Sequence, residues 1–200
     1  MDAQAFWDVI GRYNQTTWPI QIGLLLFIAI SLTEAFLHKA VWLPKIAFGV
    51  TNLFIAVVFF LIYGTEPIQT YFAFPLYIGV GTLFLWEGIK HRGSKFTPFN
   101  KLQWVLLGLV AVYPVVSLCL GHSFPQMVVY IMPCPIVSLS IVVYAAYEHR
   151  NKLLLALLTI WGLTGVKSFF FNAIEDVILL ICGIYCLCLL VSEFKRTRKV

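Results

Sequence analysis

Charged side chains are scarce in this sequence: Asp, Glu, Lys and Arg make up 12% of its 200 residues, about half the share of a soluble domain. That scarcity excludes an ordinary soluble fold. The local signatures of soluble enzymes are missing too. "GVGTLFLWEG" (79–88) lacks the third glycine and the Lys-Ser or Lys-Thr of a phosphate-binding loop, and neither His-Glu-x-x-His nor Gly-x-Ser-x-Gly occurs. The histidines, His38, His91, His122 and His149, are scattered over different boundaries, and three of them sit beside basic residues, where a solvated interfacial role is expected. Cysteines Cys119, Cys134, Cys182, Cys186 and Cys188 fall in or beside apolar runs, which argues against a disulfide framework. The opening "MDAQAFWDVIGRYNQTTWP" lacks the basic start of a cleaved signal peptide, so Trp18 onward is expected to be a retained span.

What the chain has in abundance is apolar length. Hydrophobic residues account for 60% of it, in runs of about 18 or more that mark membrane-crossing helices. The expected fold is all-α, a polytopic transmembrane bundle with helices near 18–38, 43–63, 71–90, 102–120, 127–148, 153–170 and 174–194. Gly162, Gly165 and Lys167 interrupt the sixth, which leaves a re-entrant hairpin as the alternative there. Residues 1–17 read as an external segment, with Phe6, Trp7 and Ile10 at the spacing of a short interfacial helix, 18–194 as one helical domain, and 195–200 as a basic cytoplasmic tail.

Of the fourteen basic residues, twelve fall on one side of such a bundle and only Arg12 and Lys167 on the other. The positive-inside rule then places the N-terminus outside and the C-terminus in the cytoplasm. Trp18, Trp42, Trp86 and Trp104 sit near helix ends, as interfacial anchors do, whereas Trp161 is expected to pack between helices. The net charge of +5 is explained by this topology, so no nucleic-acid partner is expected.

Three stretches, "YNQTTWPIQIGLLL", "MPCPIVSLSI" and "NAIEDVILLICGI", together resemble a family of small bacterial inner-membrane proteins classified only as a domain of unknown function. The resemblance implies Tyr-Asn followed by Trp-Pro, Cys-Pro followed by hydroxyl residues, and a Glu-Asp pair entering the last helix. Ser138 and Ser140 stand where threonine is the expected hydroxyl. It implies a multi-pass inner-membrane location and supplies no activity.

Pro133 and Pro135 flank Cys134 inside an apolar run, so the fifth helix is expected to kink there and to strand the carbonyls of Val129 and Ile131. Such carbonyls need partners from Ser138, Ser140, neighbouring helices, water or a solute. Glu175 and Asp176 enter the seventh helix, and Cys182 counts inward to the depth of Cys134, so these residues would meet if the fifth and seventh helices were neighbours. Helix capping alone also explains a carboxylate at that position. Lys167 could neutralise one of the pair. Asn52, deep in the second helix, is expected to bridge helices or to line a solute path. Cys119, His122, Met127, Met132, Cys134 and Cys182 form a candidate soft-metal set, although Met and Cys are also ordinary apolar fillers.

The leading expectation is a small permease or channel-like protein for an ion or small solute. Its site would comprise Pro133, Cys134, Pro135, Ser138, Glu175, Asp176 and Asn52, with no catalytic residue and no cofactor. The alternative is a non-transporting membrane scaffold or complex subunit, bound to a membrane partner or to its own copies in the bilayer. Soft-metal handling and an intramembrane thiol enzyme come behind both.

Overall fold

The computed structural model describes residues 3–168 and 173–197. Within them the chain is helical, with a single isolated antiparallel bridge between Phe96 and Tyr147. The end of the expected sixth helix, at 169–170, and Arg198 and Lys199 of the tail lie outside the described residues.

Trp7, Ile10, Tyr13, Thr17, Gln21, Ile28, Ser31 and Ala35 recur at steps of three, four or seven, and all are buried. One buried stripe therefore runs in phase through Pro19 and past it. Its consequence is a single helix, α1 (Ala3–Phe36). The leader does not form a separate interfacial helix, because its buried face is the upstream half of the same stripe.

Helix α2 (Leu43–Phe54) continues as a π-helical stretch, Ile55–Ile62, and a second π turn, Gln69–Ala73, leads into α3 (Phe74–Lys90). The two pack closely because small residues face each other: a Cβ on Gly49 would lie 3.1 Å from the Gly81 carbonyl oxygen. Helix α4 (Lys101–Ala111) starts at a capping box in which Asn100 and Gln103 each accept from the other's backbone. Pro114 then helps set α5 (Tyr113–Cys119) at 45° to α4, the bend a proline is expected to impose.

The fifth span differs from expectation. Helix α6 covers only Pro133–Tyr144, and Met132 before it is extended, with φ −131° and ψ 162°. Pro133 and Pro135 therefore start a helix instead of kinking one. Proline fits the first turn because the N–H groups it removes would have no partner there. Nor is the Ile131 carbonyl stranded, since it accepts the Tyr13 hydroxyl at 2.6 Å, while Met132 accepts Ile136 N at 3.1 Å and Pro133 accepts the Tyr77 hydroxyl at 2.8 Å.

Asn151 caps α7 (Lys152–Leu163), which tightens into a 3-10 turn, Thr164–Lys167. A second 3-10 turn, Ile174–Asp176, opens α8 (Val177–Thr197). Helices α7 and α8 cross at glycine: a Cβ on Gly162 would meet the Gly183 Cα at 2.5 Å.

Four helical stretches are long and apolar enough to cross a membrane: Gln4–Phe36, Leu43–Ile62, Gln69–Lys90 and Ile174–Arg196. The bent α4–α5 pair makes a fifth if counted as one span, and α6 is shorter than these. The contacts define two ends. The start of α1, the α2–α3 connection, the start of α6, the end of α7 and the start of α8 share one. The connections bearing Lys45, Ser94, Lys95, Glu148 and Arg150 meet at the other, through Lys45 to Ser94, Glu148 to Lys95 and Arg150 to Glu193.

Candidate functional site

At the first end lies a partly open cavity of about 450 Å³. Its wall is largely aromatic and aliphatic, from Phe6 and Ile10 of α1, Phe59 and Phe60 of the π stretch, Phe72, and Trp161 of α7. Trp161 is fixed by edge-to-face contacts with Tyr77 (4.9 Å) and Phe60 (5.4 Å), so it packs between helices as expected while showing a face to the cavity.

Polar atoms enter this wall where helices begin and end. Met132, Pro133, Cys134 and Pro135 line it from the start of α6, Asp176 from the start of α8, and Lys167 from the end of α7. The Cys134 thiol donates to Asp176 Oδ2 at 3.2 Å, and the buried Tyr113 hydroxyl donates to Oδ1 at 3.2 Å. The carboxylate is thus held from both sides, by a thiol and a phenol from two other helices. Gly165 permits this arrangement: a Cβ there would stand 2.7 Å from the Asp176 carbonyl oxygen and 2.6 Å from Leu180 N. No ion pair joins Lys167 to Glu175 or Asp176 among the described residues.

Glu175 points elsewhere. It is fully buried, its Oε1 accepts from Ser117 Oγ at 3.1 Å, and Oε2 has no partner among the described residues. Ser117 in turn accepts from Val128 N at 3.0 Å, which ties α5 to the loop before α6. Ser138 lies one turn below Cys134 and donates to its carbonyl at 2.9 Å. Asn52 neither bridges helices nor lines the cavity: its Nδ2 donates within its own helix to Phe48 O at 2.8 Å, and Oδ1 is unpartnered among the described residues.

The soft-metal set is dispersed among separate contacts. His122 stacks on Trp7 at 3.7 Å, Cys119 is exposed at the end of α5, and Cys182 is buried in α8. The Met127 carbonyl accepts from Asn14, while the Met132 sulfur accepts from Val129 N at 3.3 Å. Cys119, His122, Cys134 and Cys182 form no ligand cluster among the described residues.

Of the residues expected to meet Cys134, Asp176 bonds it, while Glu175 turns to Ser117 and Cys182 is buried further along α8. Tyr13, Tyr77 and Tyr113, which hold the surroundings in place, were not among the expected residues. The available signal was the tyrosines' position in otherwise apolar spans, since a buried phenol needs a hydrogen-bond partner.

A family model described as a family of unknown function, DUF6064, matches residues 3–199. The chain belongs to the DUF6064 family. The resemblance carried by the Tyr-Asn, Cys-Pro and Glu-Asp stretches is therefore borne out over nearly the whole length. Nothing among curated proteins or solved structures matches this DUF6064 chain. The Asn of Tyr-Asn has a clear task here, since Asn14 Nδ2 donates to the carbonyls of Pro125 and Met127 at 2.8 and 2.9 Å and binds the cavity-end loop to α1.

Proposed function

We propose that this DUF6064 protein is a small multi-pass permease of the bacterial inner membrane, with a site for a small, largely apolar solute at its outer end. The observation that carries the reading is the cavity itself: about 450 Å³, apolar on most of its wall, with one tyrosine-held carboxylate and one thiol exposed in it. Pockets of this size and makeup bind small molecules through apolar contact and take orientation from a few polar groups.

In this reading the chain crosses seven times, α6 and α7 being its short passes, with the N-terminus outside and the C-terminus in the cytoplasm. Support comes from the basic connections, which gather at the end opposite the cavity. Two turns below Asp176, the Gly162–Gly183 crossing closes the bundle beneath the site, as expected of one state in an alternating-access cycle. The same close crossing favours a second reading, a non-transporting subunit whose glycines serve packing alone. No catalytic step is assigned.

Purified protein in liposomes, assayed for uptake of a panel of ions and small apolar solutes, tests the proposal. Asp176→Asn and Cys134→Ala are expected to slow uptake at least about tenfold, the scale of one lost charge-assisted hydrogen bond. Unchanged flux in both variants refutes the site, and absence of flux for every solute in the parent favours the second reading.

A further inference from the structure

At the end opposite the cavity, Glu87, His91 and His149 bring one carboxylate oxygen and two imidazoles together, with their ligand atoms all within 4.8 Å of one another. Glu87 lies on the last turn of α3 and His91, four residues on, is the residue that ends the helix, its Nε2 3.9 Å from Glu87 Oε1. His149 reaches them from the α6–α7 connection, whose position is set by the Phe96–Tyr147 bridge and by Glu148 N donating to Lys95 O at 3.1 Å.

The carboxylate is oriented before any ligand arrives. Glu87 is fully buried, and its Oε2 takes the Lys45 ammonium at 3.3 Å while that ammonium also lies over the Tyr147 ring at 4.4 Å. Oε1 is left facing His91 Nε2 at 3.9 Å, with the Asn151 amide at 3.4 Å on the same oxygen. Hydrogen bonds of this kind, which fix a carboxylate's direction from behind, are the usual support of a metal ligand.

The two imidazoles stand 4.5 Å apart, centre to centre, beside a carboxylate that already has a cation on its other oxygen. A metal ion held between their nitrogens and Glu87 Oε1 would give all three groups one shared partner. We infer that Glu87, His91 and His149 form a site for a divalent transition-metal ion, zinc foremost, with the fourth position open to water. The donor set, two nitrogens and one carboxylate oxygen, is one that zinc accepts at about 2.0–2.2 Å per bond. Bonds of that length require ligand atoms about 3.4 Å apart, so the widest separation, up to 4.8 Å, must close by about 1.4 Å. His149 is exposed and His91 partly so, which leaves the two rings free to make that movement against a fixed Glu87.

This site was not legible in the sequence, where the same histidines look like isolated interfacial residues. It is independent of the cavity and of any transport reading. Bound metal would clip the end of α3 to the α6–α7 connection.

The test uses full-length protein, purified in detergent through a tag without histidine, stripped with chelator and titrated with Zn²⁺ by calorimetry. Co²⁺ serves as a spectroscopic substitute whose visible absorption reports coordination geometry. One equivalent is expected to bind, with intense tetrahedral Co²⁺ bands, and His91→Ala and His149→Ala should each weaken binding at least about tenfold. His38→Asn, outside the ligand group and at a positive φ that Asn tolerates, should leave it unchanged. Because Glu87→Gln leaves Lys45 buried without its counter-charge, the two exposed histidines are the decisive positions. No Zn²⁺ binding by the parent, or undiminished binding by the His91→Ala/His149→Ala double variant, overturns the assignment.

Discussion

Adding one methyl group at Gly162 should force α7 and α8 apart. The new Cβ would lie 2.5 Å from the Gly183 Cα and 3.2 Å from its nitrogen, whereas carbon atoms rest comfortably at about 3.5–4.0 Å. The backbones must therefore separate by roughly 1 Å, since neither contact is a side chain that can rotate away. Overpacking of this kind costs about 1–3 kcal/mol. At about 2–4 °C per kcal/mol for a chain of this size, the unfolding temperature should fall by about 2–12 °C. Gly183→Ala meets the same obstacle from the other side, 2.4 Å from the Gly162 carbonyl carbon. Both strains are relieved by one separation, so the double variant should lose less than the sum of the singles. Gly108→Ala is the internal standard: nothing stands within 4 Å of a Cβ there, and a helix interior should gain up to about 1 kcal/mol. Thermal unfolding in detergent, followed by tryptophan fluorescence, measures all four. If Gly162→Ala unfolds at the parent's temperature while Gly108→Ala is stabilised, α7 and α8 do not cross at this glycine pair.

Two other perturbations probe the ends of the bundle. Lys45→Met leaves Glu87 buried without its cation and should cost about 3–5 kcal/mol, much of it restored in Lys45→Met/Glu87→Leu; a single variant as stable as the parent would show that the pair is solvated. In a Cys119→Ser/Cys188→Ser background, a membrane-impermeant thiol reagent added from the cavity side should label Cys134 and leave Cys182 and Cys186 untouched, since both of the latter are fully buried. An unlabelled Cys134 would mean that the cavity is closed to water.

The helical class and the longest spans could be read directly, because a bilayer leaves few alternatives to an apolar run of that length. Counting residues inward from a helix start at 127 puts Cys134 level with Cys182, whereas α6 starts at Pro133, so the thiol stands at the helix entrance and meets Asp176 instead. The start of α6 could not be read in this way. "MVVYIM" (127–132) suits a helix as well as it suits extended chain. What decides between them is the Tyr13 and Tyr77 hydroxyls and the Asn14 amide, which satisfy carbonyls from other parts of the chain. Glu87, His91 and His149 escaped for a related reason. Spacing sets the first two four residues apart, but only the bridge between residues 96 and 147 brings the third beside them.

The first turn of α6 hangs between two posts. Tyr13 on α1 grips the carbonyl of Ile131 and Tyr77 on α3 that of Pro133, so Met132 and the start of the Cys134 turn are suspended from helices on either side. Any sliding of α1 past α3 must break one of these bonds or drag the turn along, and the thiol moves with the turn. The rim of the cavity is thus geared to the relative height of two long helices, and a displacement of either is converted into a displacement of Cys134 against Asp176.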